Sequence, residues 1–403
     1  MPDNKNRAKS WQSPEICLVL IAAAGPFSFA IWMALLNNFT IEVAGFTGRE
    51  IGILQSLREV PGFLAFTAVF LLLLMREQVL AVVSLAILGF GIAITGLLPT
   101  EYGLYFTTVL MSVGFHYYET VQMSLSLQWL SKERAPRAMG WQLSAKSVAA
   151  IIAYGTLWVL LEVFSVPFAW LFALGGGVTI AMAVLIWTAF PRYEGKEPQH
   201  KTMVLRKRYW LYYALTFMGG ARRQIFVVFA GFLLVEKFGF SAATIAGLYL
   251  LDQVVTSLIS PKIGSLIARF GERTMLVFEY IGLVIVFGSY AFVEDPIIAA
   301  GLYVIDHVFF AFAIAQKSYL QKIADGKDIA ATSSVSFSIN HIAAVVIPWM
   351  FGAYLWVLSP SYVFIAGAAM AAISLVLSLN VPRNPAPGNE VVVGKRPQPA
   401  AAE

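Results

Sequence analysis

The chain has 403 residues, of which 59% are hydrophobic and only 13% charged. A water-soluble globular protein carries about 25% charged residues, so most of this surface is expected to face lipid. The formal charge of +5 does not point to nucleic acid, because the basic residues fall in segments between apolar runs; the single cysteine, Cys17, excludes a disulfide framework.

A helix needs roughly 20 mostly apolar residues to cross the hydrocarbon layer, where no water satisfies free backbone groups. In chain order such runs fall at 15–43, 50–75, 78–98, 102–129, 138–162, 167–190, 209–236, 242–268, 273–293, 296–321, 330–356 and 361–381. Lys5, Arg7 and Lys9 precede the first run, but it continues too long and lacks a small-residue cleavage site. It is therefore predicted to be a retained span and not a removed signal. Pro99, Pro136, Pro191, Gly271, Pro296 and Pro360 punctuate the boundaries. An even number of spans puts both termini on one side. Only Arg49 and Lys237 fall in the loops of the opposite side, and Arg58, Lys146, Arg222, Arg223 and Lys317 fall inside spans. Every other one of the 28 Lys and Arg residues lies in a terminal segment, in a loop on the side of the termini or, as Lys262 and Arg273 do, in the end of a span that adjoins such a loop. Basic loops mark the cytoplasmic face, so both termini are expected there, in a cytoplasmic (inner) membrane.

Two separate blocks of the chain match at one constant offset. Gly45-Phe46-Thr47, Ile51 and Arg58-Glu59-Val60 lie over Gly239-Phe240-Ser241, Ile245 and Asp252-Gln253-Val254. Ser144 and Val148-Ala149-Ala150 lie over Ser338 and Ile342-Ala343-Ala344. Six spans separate the copies, which gives them the same membrane orientation, as in parallel-repeat transporters. The expected organisation is an N-terminal six-helix bundle over 1–190, a basic cytoplasmic linker over 191–208 and a C-terminal six-helix bundle over 209–381. A disordered cytoplasmic tail, rich in Pro and Ala, is expected over 382–403.

The stretch Gly264-Ser265-Leu266-Ile267-Ala268-Arg269-Phe270-Gly271-Glu272-Arg273 resembles the loop signature Gly-x-Leu-x-Asp-Arg-x-Gly-x-Arg/Lys of the major facilitator superfamily. Ala268 stands where that signature has its acidic residue, and the first-half equivalent around Phe70 to Val79 has lost the pattern. The resemblance implies an all-α membrane protein, with twelve transmembrane helices in two bundles related by a pseudo-two-fold axis along the membrane normal. It further implies secondary transport by alternating access. The marks of drug–proton antiporters and of sugar porters are missing.

An ionised side chain at the bilayer centre costs from about 3 to over 10 kcal/mol unless paired or wet, so intramembrane polar residues are the pointers to function. In the fourth span Ser112, His116, Glu119 and Gln122 recur at helical spacing, flanked by Tyr117 and Tyr118. The seventh carries Arg222-Arg223-Gln224 after Gly219-Gly220, and neighbours on a helix diverge by about 100°, so one arginine of the two is expected to face the cavity. In the tenth, Asp306 and Lys317 are almost three turns apart and are expected to share a face, with His307 beside Asp306. Asn37 and Asn38 add amides to the first span. By resemblance spans 1, 4, 7 and 10 line a central cavity, which makes these the substrate-site candidates.

For each residue the competing interpretation is structural pairing, such as Arg58 with Glu59 or Glu119. The in-span cations Arg58, Lys146, Arg222, Arg223 and Lys317 are matched in number by Glu59, Glu119, Asp252, Glu279 and Asp306. Glu279, however, lies on what is by resemblance an outer helix and is expected to serve Arg273 or Lys262. That leaves a cationic excess and favours an anionic solute. Glu119, Asp306, His307 and His341 are the groups able to carry a coupling proton. The histidines show no metal-ligand spacing, so neither a metal nor another cofactor is expected. Gly89-x-Gly91 and Gly175-Gly176-Gly177 are expected to be helix-packing contacts, not phosphate loops.

Together these features predict a monomeric secondary transporter, not an enzyme. Its expected partners are the lipid bilayer and a small organic anion held near mid-membrane between the halves, with proton coupling as an option. A drug-efflux type exporter of cationic or amphipathic compounds is the alternative within transport, and a non-transporting sensor or assembly protein is the alternative outside it. By resemblance, spans 5 and 8 and spans 2 and 11 face each other across the halves. Arg58, Glu59, Lys146, Asp252 and Asn340-His341 are thus gate candidates, through a Lys146–Asp252 bridge and an Arg58–His341 contact. Lys146→Asp and Asp252→Lys should each impair transport and the double exchange should restore it; absence of rescue in an uptake assay rules the bridge out.

Overall fold

The computed structural model describes residues 11–71, 74–129, 135–193, 205–325 and 329–394. Twelve helical stretches among them fall on the predicted spans. In the first half these are α1 (Pro14–Glu42), α2 (Gly48–Phe63), α3 (Glu77–Ala93), α4 (Glu101–Trp129), α5 (Ala135–Glu162) and α6 (Phe168–Ala189). In the second half α7 runs from Trp210–Ile225 through a wide π-type turn at Phe226–Ala230 into Gly231–Glu236. It is followed by α8 (Ala242–Phe270), α9 (Glu272–Phe292), α10 in two segments (Pro296–Phe310 and Ala313–Ile323), α11 (Ile329–Met350, continued as a π-type turn over Phe351–Trp356) and α12 (Pro360–Leu379).

Ten of these stretches are long and apolar enough to cross a membrane. The two that are not, α2 and α4, carry Arg58-Glu59 and His116 with Glu119. The second span is also less regular than predicted. Pro61 sits inside α2, and beyond Phe63 the chain tightens into a 3-10 turn at Leu64–Thr67 before the short helix Ala68–Leu71. A proline removes one helical hydrogen bond and crowds the preceding turn, which accounts for the irregularity.

The described residues divide into two compact units. The first comprises Met1–Gly45, Leu57–Gln199 and Ser241–Gln253; the second comprises Phe46–Ser56, His200–Phe240 and Val254–Glu403. This differs from a simple split at the linker: the opening turns of α2 belong to the second unit and those of α8 to the first. Inside the second unit, a methyl group on Gly48 or on Gly52 would strike Trp356 or the Pro348 carbonyl. Inside the first unit, Tyr249 of α8 meets Tyr154 of α5 edge-on, with ring centroids 5.6 Å apart.

The exchange is symmetric because the sequence repeat is real at the level of backbone. Gly45 and Gly239, equivalent in the two copies, both take positive φ, 67° and 68°, a conformation glycine adopts without steric cost. The residues two further on open the next helix in equivalent ways. Each caps the helix with its hydroxyl: the Arg49 amide donates to Thr47 Oγ1 at 3.3 Å and the Thr244 amide to Ser241 Oγ at 3.1 Å, and the Thr47 amide donates in turn to Glu50 Oε2 at 2.9 Å. Packing repeats as well. In the first unit α1 lies against α5 and α6, and α3 against α4 and α6; in the second α7 lies against α11 and α12, and α9 against α10 and α12.

The end of the chain corrects an expectation. The tail from residue 382 was expected to be disordered, yet up to Gly394 it folds back on the end of α12, with Val392 N donating to Asn380 O at 2.9 Å and Val391 buried. The reason is local chemistry: Asn380 offers both an amide and a carbonyl to a segment that composition alone reads as unstructured.

The glycine motifs are packing contacts, as expected. A Cβ on Gly89 would lie 2.6 Å from the Gly176 carbonyl oxygen, one on Gly176 would collide with the Gly89 carbonyl, and one on Gly91 would lie 2.6 Å from Met111 N. Gly177, next in sequence, meets nothing within 4 Å. Gly176→Ala should therefore cost about 1–3 kcal/mol through overpacking, while Gly177→Ala leaves stability unchanged or slightly raised. Thermal denaturation of the two variants in detergent checks this; equal behaviour would contradict the close α3–α6 crossing.

Candidate functional site

In the first unit the polar candidates gather around Arg58 and Glu59, both 6% exposed. Arg58 Nε and Nη2 both donate to Glu59 Oε1, at 3.0 and 2.5 Å. Arg58 Nη1 donates to Met33 Sδ at 3.4 Å, and the guanidinium lies 6.0 Å over the Phe29 ring. The backbone carbonyl of Arg58 accepts from Ser112 Oγ of α4. A ring nitrogen of buried His116 comes within 4.8 Å of a Glu59 carboxylate oxygen. Phe29 stacks on Phe115 at 4.5 Å, and Phe115 meets His116 edge-on at 5.3 Å. The α1, α2 and α4 helices thus build one cluster in which a fork of two hydrogen bonds offsets the desolvation of two charges.

The remaining residues of α4 divide. Glu119 Oε1 lies 3.8 Å from Lys146 Nζ of α5, both partly exposed. The Lys146 side chain therefore reaches a carboxylate on α4, a partner not anticipated for it. Gln122, at 4% exposure, donates to Gln142 Oε1 at 3.0 Å, and Ser126 Oγ donates to the same oxygen. Tyr117 shares a 2.6 Å hydrogen bond with Thr67. Tyr118, expected to contact the apolar part of a solute, is fully buried against α1: its hydroxyl donates to Ala22 O, and its ring fills the space left by Gly25. It is a helix-packing residue. On α1, Asn37 and Asn38 are buried, and Asn38 Nδ2 donates one turn onward to Glu42 Oε1 at 2.7 Å. Asp252, which the units place with the first half, is half-buried.

In the second unit the decisive contact is one that the sequence did not suggest. Arg222 is 5% exposed and donates through Nη2 to Glu279 Oε1 of α9 at 3.1 Å, with Glu279 itself 3% exposed. The guanidinium lies 5.8 Å over the Tyr280 ring. Glu279 was expected to serve Arg273 or Lys262. Instead it is drawn to α7, because a buried arginine costs more to leave without a carboxylate than an exposed one. Arg223 is exposed and Gln224 is buried, so the two adjacent arginines do point apart as their helical spacing requires. A methyl on Gly220 would sit 2.5 Å from Asn340 Oδ1; the glycine lets that amide of α11 close on α7.

Asp306 and Lys317 do not share a continuous helical face. The α10 helix breaks at Ala311–Phe312, which resets the register that the spacing argument needs. Asp306 is fully buried and Lys317 exposed. His307 sits in an aromatic nest, with ring centroids 4.4 Å from Tyr303, 4.9 Å from Phe310 and 5.6 Å from Phe226. Its Nδ1 lies 3.0 Å from the Tyr303 carbonyl oxygen. A carbonyl only accepts, so the proton sits on Nδ1. His341 repeats the pattern with Nδ1 2.9 Å from Phe337 O. Gln316 donates to Thr216 of α7 at 3.0 Å, tying the second segment of α10 to α7.

Two buried polar groupings lay outside the sequence reading. Glu279 was assigned elsewhere, and the only available signal was the exact balance of in-span charges. Glu272, within the loop signature, is 2% exposed and takes Lys322 Nζ at 2.6 Å and Ser318 Oγ at 2.7 Å. It supplies a carboxylate four residues beyond Ala268, where the signature's acidic residue is missing. Breaking the buried Arg222–Glu279 pair should be costly. Glu279→Leu is expected to destabilise the protein by about 3–5 kcal/mol, and adding Arg222→Leu should recover most of that. Thermal unfolding of both variants in detergent tests the coupling, and a double variant as unstable as the single would show that the two side chains do not depend on each other.

Comparison with known proteins matches this architecture to one family. The family model described as Major Facilitator Superfamily matches residues 16–348, and no curated protein matches. Among solved structures, a point mutant of the nucleoside transporter NupG superposes with a TM-score of 0.76 at 13% identity, over 91% of this chain and 99% of that one. A bacterial homolog of the human lysosomal transporter Spinster, inward-facing and occupied, gives 0.71 at 14% identity, over 91% and 95%. At that identity the likeness concerns the fold. The family match covers most of the chain, and with the membrane-length helices it makes the protein a multi-pass membrane transporter and a member of the Major Facilitator Superfamily.

Proposed function

We propose that this transporter moves a small polar organic solute of no net charge, neutral or zwitterionic, by alternating access. The observation that carries the reading is the Arg222–Glu279 pair. The case for an anionic solute needed Glu279 to be engaged outside the interior, leaving the cations in excess. With Glu279 held by Arg222, that excess is gone. Arg58 is neutralised by Glu59, and Lys146 approaches Glu119. Arg223 and Lys317 are in turn matched in number by Asp252 and Asp306, so the in-span charges sum to zero. A solute with net charge would bring an uncompensated ion into a low-dielectric interior, which is costly without a counter-charge.

Amides and rings support the same reading. Gln224, Gln316 and Asn340 in the second unit, and Asn37 in the first, offer hydrogen bonds without charge, and Phe29 with Phe115 offers a flat apolar face. Two of the solved structures of like fold are of a nucleoside transporter, and nucleosides are uncharged at neutral pH.

The test is a thermal-shift screen of the purified protein in detergent against organic anions, organic cations, nucleosides and zwitterionic amino acids. A ligand at a hundred times its Kd adds about 2.7 kcal/mol, enough to move the midpoint by several degrees. Stabilisation by an uncharged or zwitterionic compound supports the proposal. Stabilisation by anions alone, lost in Arg223→Gln or Lys317→Gln, would return the reading to an anion carrier, and stabilisation by cations alone would favour an exporter.

A further inference from the structure

We propose that residues 381–393 form a strap that keeps the second segment of α10, Ala313–Ile323, docked on its own unit, and that Asn380 and Tyr319 are its positioning residues. The evidence begins at the end of α12. Asn380 holds the returning chain by three hydrogen bonds: Val392 N donates to its backbone carbonyl at 2.9 Å, Val393 N donates to its Oδ1 at 2.6 Å, and its Nδ2 donates to Val393 O at 3.3 Å. A side-chain amide that donates to and accepts from one residue acts as a clamp, because its two bonds must break together.

The loop so closed is itself ordered. Asn389 donates from its backbone to Ala386 O at 2.8 Å and from its side chain to Asn384 O at 2.7 Å. Gly388, at φ 83°, donates to Glu390 Oε1 at 2.9 Å. Pro382, Pro385 and Val391 turn inward and are buried. A segment of this length with its ends tied and its own side chains packed is a compact surface loop and not a free tail.

What the loop touches gives it a role. The fully buried Tyr319 of α10 donates its hydroxyl to the Glu390 carbonyl. The residues on either side of Tyr319 in the same helical turn, Ser318 and Lys322, are held by Glu272 of α9. A second tie follows at the end of the segment, where Arg208 pairs with Asp325 at 2.6 Å. The first segment of α10, Pro296–Phe310, is held differently. Among the described residues its rings pack on Phe226 and Phe278, and Tyr290 donates its hydroxyl to Ala299 O. Between the two segments the helix is broken at Ala311–Phe312. A helix divided this way can open in one part without the other, so whatever fastens the second segment sets its stability independently of the first. That segment carries Gln316 and Lys317, and the strap therefore ties the end of the chain to two candidate site residues.

Hydrogen–deuterium exchange on the full-length protein in detergent tests this and needs no knowledge of the transported solute, so its outcome is independent of the functional proposal. Asn380→Ala and Tyr319→Phe together remove the clamp's side-chain bonds and the tyrosine bond. Exchange in 313–323 should then rise roughly tenfold or more, as for the loss of three hydrogen bonds, while exchange in 296–310 stays at the parent rate. Tyr319→Phe alone, which keeps the ring packing, should give a smaller rise confined to the same segment and serves should the double variant fail to fold. Unchanged exchange in 313–323 overturns the proposal, and so does an equal rise in both segments.

Discussion

Charge is costly to hold inside a bilayer, and this protein meets that cost with pairs formed inside each unit. Arg58 forks onto a single oxygen of Glu59 in the first unit, and Arg222 reaches Glu279 in the second. Each pair is almost wholly buried. Around each, the structure places groups that would be unremarkable elsewhere: a serine hydroxyl on the Arg58 carbonyl, a methionine sulfur on its guanidinium, and aromatic faces beside both arginines. Removing one member of such a pair leaves a buried ion without a partner, while removing both leaves only a packing problem. This asymmetry decides which substitutions the helices tolerate.

The fold was largely legible from sequence because its signals are one-dimensional. A run of apolar residues is visible without any neighbour, and so is the repeated triplet Gly45-Phe46-Thr47 and Gly239-Phe240-Ser241, whose glycines turn out to share a positive φ. Glycines flanked by apolar residues announced close crossings, and Gly89 with Gly176 makes one. What failed was continuity. Asp306 and Lys317 were placed on one face by counting residues through α10, and the break at Ala311–Phe312 cancels the count. The second span was read as one helix and kinks beyond Pro61.

The candidate site was legible as a set of residues but not as a set of contacts. Helical spacing put Ser112 and His116 on one face, in-span charge and the repeat singled out Arg58-Glu59, and the structure brings the four together. It could not say that Tyr118 turns into the Gly25 notch while Tyr117 bonds Thr67, since adjacent residues on a helix are separated only by what neighbouring helices offer. Nor could it find Glu279 for Arg222, a partner on another helix that only tertiary packing supplies. The tail was misread for a related reason: Pro and Ala dominate its composition, but one asparagine at the end of α12 is enough to fold it back.

Arg58 and Glu59 are consecutive in sequence and bonded side chain to side chain, which has an electrical consequence. A displaced segment feels the transmembrane voltage in proportion to its net charge, about 2.3 kcal/mol per elementary charge per 100 mV. While both members of this couple stay ionised they travel as a dipole of zero net charge, so the field does no net work on them however far α2 is carried. Any voltage sensitivity of the transport cycle must then arise at residues whose opposite charges sit on different helices and can part company.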